Sequence, residues 1–359
     1  MSSPTGFGSG GGPAALCSVN AAARRRIGRE RPQHNLLRQA ARRFAMPTTI
    51  AILDTNVYYR LSEESAKNLK VAERRSGIVA CGAIWVALEL ISHLADPADP
   101  QYMRCGRAIR AFRVHTELWN GRAYIPFIGS PKDALSEQVF GWRDPFGRRL
   151  SAGLGDAIMG LTQVGGLDNV EWRLFCADAK EFLQKNEERF GSRLSNVVET
   201  LGTIRDVQGN PLTESDRAKA HHAFHREHGV SYVAETIAMA LADRAGKTLD
   251  AAERVRLGQL VLTVMPVAVH FFKNELRRFA GEGADPTAYG NSNSVWDLEI
   301  SSLASPVVRP ENYSLLGVAK PQVVTDERRI GLAAKEAGHP SLVIDRAAYL
   351  TSLGLDDTP

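Results

Sequence analysis

The chain has 359 residues, enough for two packed units or for one domain carrying a large insertion. With 44% hydrophobic residues, 23% charged residues and a mean hydropathy of −0.20, it reads as globular, neither wholly disordered nor membrane-embedded. The formal charge of +4 is unevenly placed: residues 1–45 hold eight arginines against the single acid Glu30, a balance of +7, so residues 46–359 sum to −3.

That asymmetry excludes a uniformly basic nucleic-acid coat and leaves a basic tail on a near-neutral body. The tail opens with the Gly/Ser-rich "MSSPTGFGSGGGP" and continues into an arginine-rich stretch, so residues 1–45 are expected to be a disordered Arg/Gly-rich tail. A nucleic-acid arm, a transit sequence and an upstream extension of the reading frame with a start at Met46 all stay open for it.

The first strand is "TTIAILD", an apolar run that stops at Asp54, Thr55 and Asn56. The most apolar stretch, residues 78–94, carries Glu89 and His93; its length and its internal carboxylate make it a buried element, not a membrane span. "ADPADP" at 95–100 then breaks the chain. Three- and four-residue apolar spacing predicts helices near 101–118, 178–202, 213–246 and 249–281. After a second break at 281–294 the pattern predicts a helix at 294–304, the strand "PQVVTD", a helix stopped by Gly338 and a last apolar run, "SLVID". The expected class is α/β with a central parallel sheet. Its domain is discontinuous, made of residues 46–96 and 291–359, and a mostly α-helical insertion spans 97–290.

Four cysteines, Cys17, Cys81, Cys105 and Cys176, show no CxxC spacing, so reduced thiols in a cytoplasmic protein are expected. In a parallel sheet, chemistry gathers beyond the carboxyl ends of the strands. Asp54 and Asp326 end two apolar strands, while Glu89 and Asp297 interrupt apolar helical segments. Acids set among core-facing residues are costly unless paired or metal-bound, so these four point to a cation site.

"AILDTNVYYRL", "GAIWVALELISHL", "NSVWDLEISSLA" and "VVTDERRIGLAAKEAG" resemble, in order, the four motifs of PIN-domain nucleases. The resemblance covers residues 48–94 and 291–345. It implies a three-layer α/β/α PIN-like sandwich and hydrolysis of phosphodiester bonds with Mg2+ or Mn2+, most often in RNA. It also implies that Asp54, Glu89, Asp297 and Asp326 are the catalytic, metal-holding quartet, with Asn56 and Thr325 orienting them. An inhibitor or other regulatory protein accompanies many compact relatives. The chain departs from those relatives in having 207 residues, 90–296, between the second and third acids. A structure-specific DNA nuclease and a non-catalytic PIN-fold interaction module are the alternatives, and the sequence alone does not choose RNA over DNA.

Glu299, two helical residues past Asp297, is expected to point about 200° away from it, whereas Glu327 competes with Asp326 for the fourth position. Arg104, Arg107, Arg110 and Arg113 are spaced by three and form a drifting helical stripe that either tracks a phosphate backbone or is solvated surface. Residues 101–290 hold 25 basic and 23 acidic residues, so any nucleic-acid groove there is local. His221, His222, His225 and His228 lack the further ligand that would complete a zinc set, and "GLGDAIMG" lacks the third glycine of a dinucleotide fingerprint.

Overall fold

The computed structural model describes residues 49–119, 122–142, 145–202, 213–281, 285, 294–306 and 320–356; the expected tail and Met46 lie outside them. The described residues begin with β1 (Thr49–Leu53), α1 (Thr55–Tyr58), α2 (Glu63–Arg75), β2 (Ile78–Ala80), α3 (Ile84–Ser92) and α4 (Tyr102–Thr116). A short ribbon follows, β3 (Leu118–Trp119) with β4 (Ala123–Tyr124), then α5 (Pro131–Phe140), α6 (Pro145–Leu161) and α7 (Val170–Gly202). Four more helices are α8 (Glu214–Glu227), α9 (Gly229–Arg244), α10 (Ala251–Val264) and α11 (Pro266–Leu276). The described residues close with α12 (Ser294–Leu303), β5 (Lys320–Val324), α13 (Arg328–Glu336), β6 (Val343–Ile344) and α14 (Arg346–Ser352).

The protein is α/β and mostly helical, around one four-stranded parallel sheet in the order β2-β1-β5-β6. In β1 the consecutive residues Ile50, Ala51, Ile52 and Leu53 are all buried. Since neighbouring strand residues point to opposite faces, both faces of the sheet are covered. Pro321 sits in β5 before its pairing with β6 begins at Val323, so its missing N–H costs no ladder bond on that side.

Local chemistry explains the ends of the elements. Ser62 caps α2, accepting from Ser65 N at 3.0 Å, and Glu63, Glu64, Arg74 and Arg75 place charges that complement the helix dipole. The pattern over 249–281 gives two helices, bent by 107°, because Pro266 takes the first position of α11 and cannot continue α10. The pattern over 213–246 likewise divides, at His228. Helix α5 carries no strong apolar period in the sequence. Gly160 of α6 is required by packing: a Cβ there would stand 2.2 Å from the Trp172 ring.

Among the described residues two hydrophobic cores result. The first runs from the sheet through α3 and α4 into α6 and α7, joining Ile52, Val324, Leu88, Phe112, Ile158 and Cys176. The second lies among α5, α7, α9, α10 and α11, around Val233, Val261, Met265 and Phe272. Within the first core Glu73 pairs with His115 Nε2 at 2.8 Å and accepts from the Tyr349 hydroxyl at 2.7 Å, while His115 Nδ1 meets the Tyr58 hydroxyl at 2.9 Å. This network joins α1, α2, α4 and α14. Cys81, Cys105 and Cys176 are free thiols, all buried. Among the described residues no single helix is long and apolar enough to cross a membrane.

Candidate active site

The strand order places a switch point between β1 and β5: from β1 the chain goes to β2 on one side, and from β5 to β6 on the other. Such a crevice at the carboxyl ends of the strands is where open α/β sheets bind ligands. The register pairs Leu53 with Val324, so Asp54 and Thr325 leave the sheet side by side.

Asp54 caps α1. Its Oδ1 accepts from Thr55 N at 2.7 Å, and its Oδ2 accepts from Asn56 Nδ2 at 2.9 Å and from the Thr325 hydroxyl at 2.7 Å. Asn56 also donates to Thr325 Oγ1 at 3.2 Å and accepts from Asp326 N at 3.3 Å, stitching the two strand ends together. Thr55 donates its hydroxyl to Glu89 Oε2 at 2.6 Å, which fixes the carboxylate of α3 against the end of β1.

Burial raises the proton affinity of three of these acids. Asp54 lies above the usual carboxylate range because it is desolvated and faces Glu327 and Asp326, despite its hydrogen bonds from Thr325 and Thr55. Burial, with smaller contributions from Asp54 and Glu187, pushes Glu89 up to about 7 against the hydrogen bond from Thr55. Asp297 is pushed up to about 8: desolvation outweighs the Arg329 guanidinium, and Asp54, Glu327 and Glu89 add to the rise. These three acids therefore feel one another, and they come from three separate elements or junctions.

Asp326 is placed differently. Its Oδ1 accepts from Arg346 N at 3.2 Å; its Oδ2 is buried, accepts no hydrogen bond, and has Arg346 Nε at 3.6 Å and the exposed Arg60 at 3.7 Å. Glu327 is the neighbour that acts on both Asp54 and Asp297. Burial opposes its charge, but the hydrogen bonds and charge of Arg329 hold it below the usual glutamate range. Glu299 is turned to an ion pair with Lys132.

Of the arginine stripe on α4, Arg104 lies 4.0 Å over the Tyr59 ring, and Arg113 binds Glu117 at 2.7 Å and Thr162 at 3.0 Å. Arg107 and Arg110 are exposed. Several residues at the site are not anticipated from the sequence. Thr55 follows Asp54 directly, and a hydroxyl beside a strand-ending acid is a usable signal. Glu187 reaches the site from α7, held by Trp296 Nε1 at 2.6 Å. Arg329 and Glu275 meet across 54 residues, and nothing local marks them.

The Mg2+ or Mn2+ expected from the sequence can be weighed against this arrangement. As the side chains stand, no three His, Cys, Asp or Glu among the described residues are grouped to hold a metal ion. The donor chemistry fits a hard divalent cation: the converging groups are carboxylates, three have raised proton affinity, and the buried Asp326 Oδ2 accepts no hydrogen bond. Asp297 is engaged by Arg329 and Glu89 by Thr55. Compared with family models, with curated proteins and with solved structures, the chain finds no match in any of the three.

Proposed function

We propose that this chain is a PIN-like, divalent-metal-dependent nuclease that hydrolyses phosphodiester bonds within RNA. The observation that carries the reading is the meeting of Asp54, Glu89 and Asp297, from three separate elements, at the switch point of a parallel sheet. Carboxylates under-neutralised in this way are relieved by Mg2+ or Mn2+. In the accompanying fold reading the sheet is the middle layer of an α/β/α sandwich and residues 97–290 are a helical insertion.

Asp54, Glu89, Asp297 and Asp326 would hold the ion. Thr325 and Asn56 keep the Asp54 carboxylate turned to one position, and Thr55 does the same for Glu89. When bound, such an ion neutralises the phosphate and lets water attack at neutral pH, so no protein nucleophile is required. Arg60 beside Asp326 and the exposed Arg107 and Arg110 supply positive charge for the RNA backbone.

The test is digestion of mixed RNA and DNA pools with Mn2+ by wild type, Asp54→Asn and Glu89→Gln, with the fragment ends sequenced. Wild type is expected to cut RNA internally, and each variant to lose at least about 100-fold in rate. Cutting confined to DNA would make the protein a structure-specific DNA nuclease. Undiminished cutting by both variants, or none by wild type, would replace this reading with a non-catalytic interaction module.

A further inference from the structure

Arg329 spreads its guanidinium over three carboxylates. Nη2 donates to Asp297 Oδ2 at 2.7 Å, Nε to Glu327 Oε1 at 3.0 Å and Nη1 to Glu275 Oε1 at 3.1 Å. Glu275 is the fixed end of this arrangement: its side chain is 3% exposed and also accepts from Arg278 at 2.6 Å and from Ser294 at 2.8 Å. The Arg329 side chain is 36% exposed, so it has a path to solvent. It also sits in the first turn of α13, where the helix dipole disfavours a cation, so its position depends on the acids around it.

We propose that Arg329 is an intramolecular counter-cation of the acid cluster, which pairs with Asp297 and Glu327 in the metal-free protein and must release Asp297 before a divalent ion is held there. The proposal rests on the metal-dependent reading above. An oxygen that accepts from a guanidinium cannot offer the same lone pair to a metal ion, and two cations on adjacent carboxylates repel. Metal uptake is then a competition, and its apparent affinity is reduced by the fraction of molecules in which Arg329 holds Asp297. Released, Arg329 stays tethered by Glu275 at the edge of the cluster, with donors free for a phosphate.

Mn2+ binding to the full chain, measured by calorimetry, tests this on wild type, Arg329→Gln, Arg329→Lys, Asp297→Asn and the double variant Arg329→Gln with Asp297→Asn. Arg329→Gln is expected to bind Mn2+ about 10-fold more tightly than wild type, with Arg329→Lys between them because an ammonium cannot bridge three carboxylates. The gain should vanish when Asp297→Asn is also present, which a merely structural role would not predict. In wild type itself, labelling of Arg329 by phenylglyoxal, followed by mass spectrometry, should rise when Mg2+ is added while labelling of Arg107 stays constant. Wild type that binds Mn2+, together with an Arg329→Gln variant that binds no more tightly or a label that does not rise, overturns the counter-cation role alone. Should the glutamine variant not fold, the lysine variant and the wild-type labelling decide by the same criteria. Absence of Mn2+ binding in wild type and in both Arg329 variants would remove the metal-dependent reading as well.

Discussion

Glu73 on α2 and Asp54 at the end of β1 are both buried, 1% and 7% exposed, yet their surroundings differ in kind. Around Glu73 each oxygen has its own partner, His115 or Tyr349, and no second acid faces it within the network. Around Asp54 the oxygens are also hydrogen-bonded, but Glu89, Asp297, Asp326 and Glu327 crowd the same space, and the proton affinities of Asp54, Glu89 and Asp297 are raised. The first cluster is closed and ties four helices together. The second keeps charge that its own residues do not cancel. A fully paired polar network adds rigidity, whereas an incompletely neutralised one stores a capacity to bind.

The comparison breaks most visibly at Glu73. Glu73→Ala leaves the His115 ring and the Tyr349 hydroxyl buried without their acceptor, and should cost about 3–5 kcal/mol of unfolding free energy in urea. A loss below about 1 kcal/mol would show that this network is not what joins α2, α4 and α14.

At Glu89 the expected sign is opposite and depends on pH. Its folded-state value of about 7 lies above the ordinary 4.5, so the folded state holds the proton more tightly than the unfolded chain. Stability is therefore full below about pH 4.5, falls as the pH rises toward 7, and stays reduced above it. Glu89→Gln can still accept from Thr55 and removes this loss, so at pH 8.5 without metal it should be about 1–3 kcal/mol more stable than wild type, and at pH 4 nearly equal. Denaturant titrations at the two pH values check this, and parallel curves for the two proteins would contradict it. Asp297, pushed up to about 8, extends the same decline to slightly higher pH.

Thr325→Val sharpens the contrast on a smaller scale. It takes one donor from Asp54 Oδ2 and the acceptor from Glu327 N, and should cost about 1–2 kcal/mol. The Asp54 carboxyl should rise further above the usual range, visible as a shifted carboxyl titration. Smallest of all, Arg107→Gln with Arg110→Gln should leave stability within about 0.5 kcal/mol of wild type and weaken RNA binding only at low salt. Salt-independent weakening would count against a role for these two side chains in backbone contact.

The parts of the molecule legible in its sequence are those that depend on local patterning. β1 and β5 show as apolar runs ended by Asp54 and by Thr325–Asp326, and α3 and α12 show as apolar helices interrupted by Glu89 and by Asp297 and Glu299. The break at Pro266 is legible in hindsight, since the proline stands inside the periodic segment. Helix α6 escapes notice because Gly147, Gly153, Gly155 and Gly160 weaken its helical signal, which tertiary contacts such as Gly160 against Trp172 override. The ribbon of β3 and β4 is two residues on each side, below any detectable alternation. Arg329, Glu275 and Glu187 reach the acids by long-range packing, and no spacing rule anticipates such meetings.

The hydrogen bond from Thr325 to Asp54 spans 271 positions. During synthesis at about 5–20 residues per second, Asp54 precedes its partner by roughly 15–50 s. Through that interval β1 can pair with β2 but offers an open edge where β5 belongs, and its terminal acid lacks the hydroxyl that positions it. An open strand edge is a template for wrong pairing, so the helices made in between also have a protective part to play while the ribosome is still at work. The acid cluster closes late in this order of events, after most of the protein around it exists.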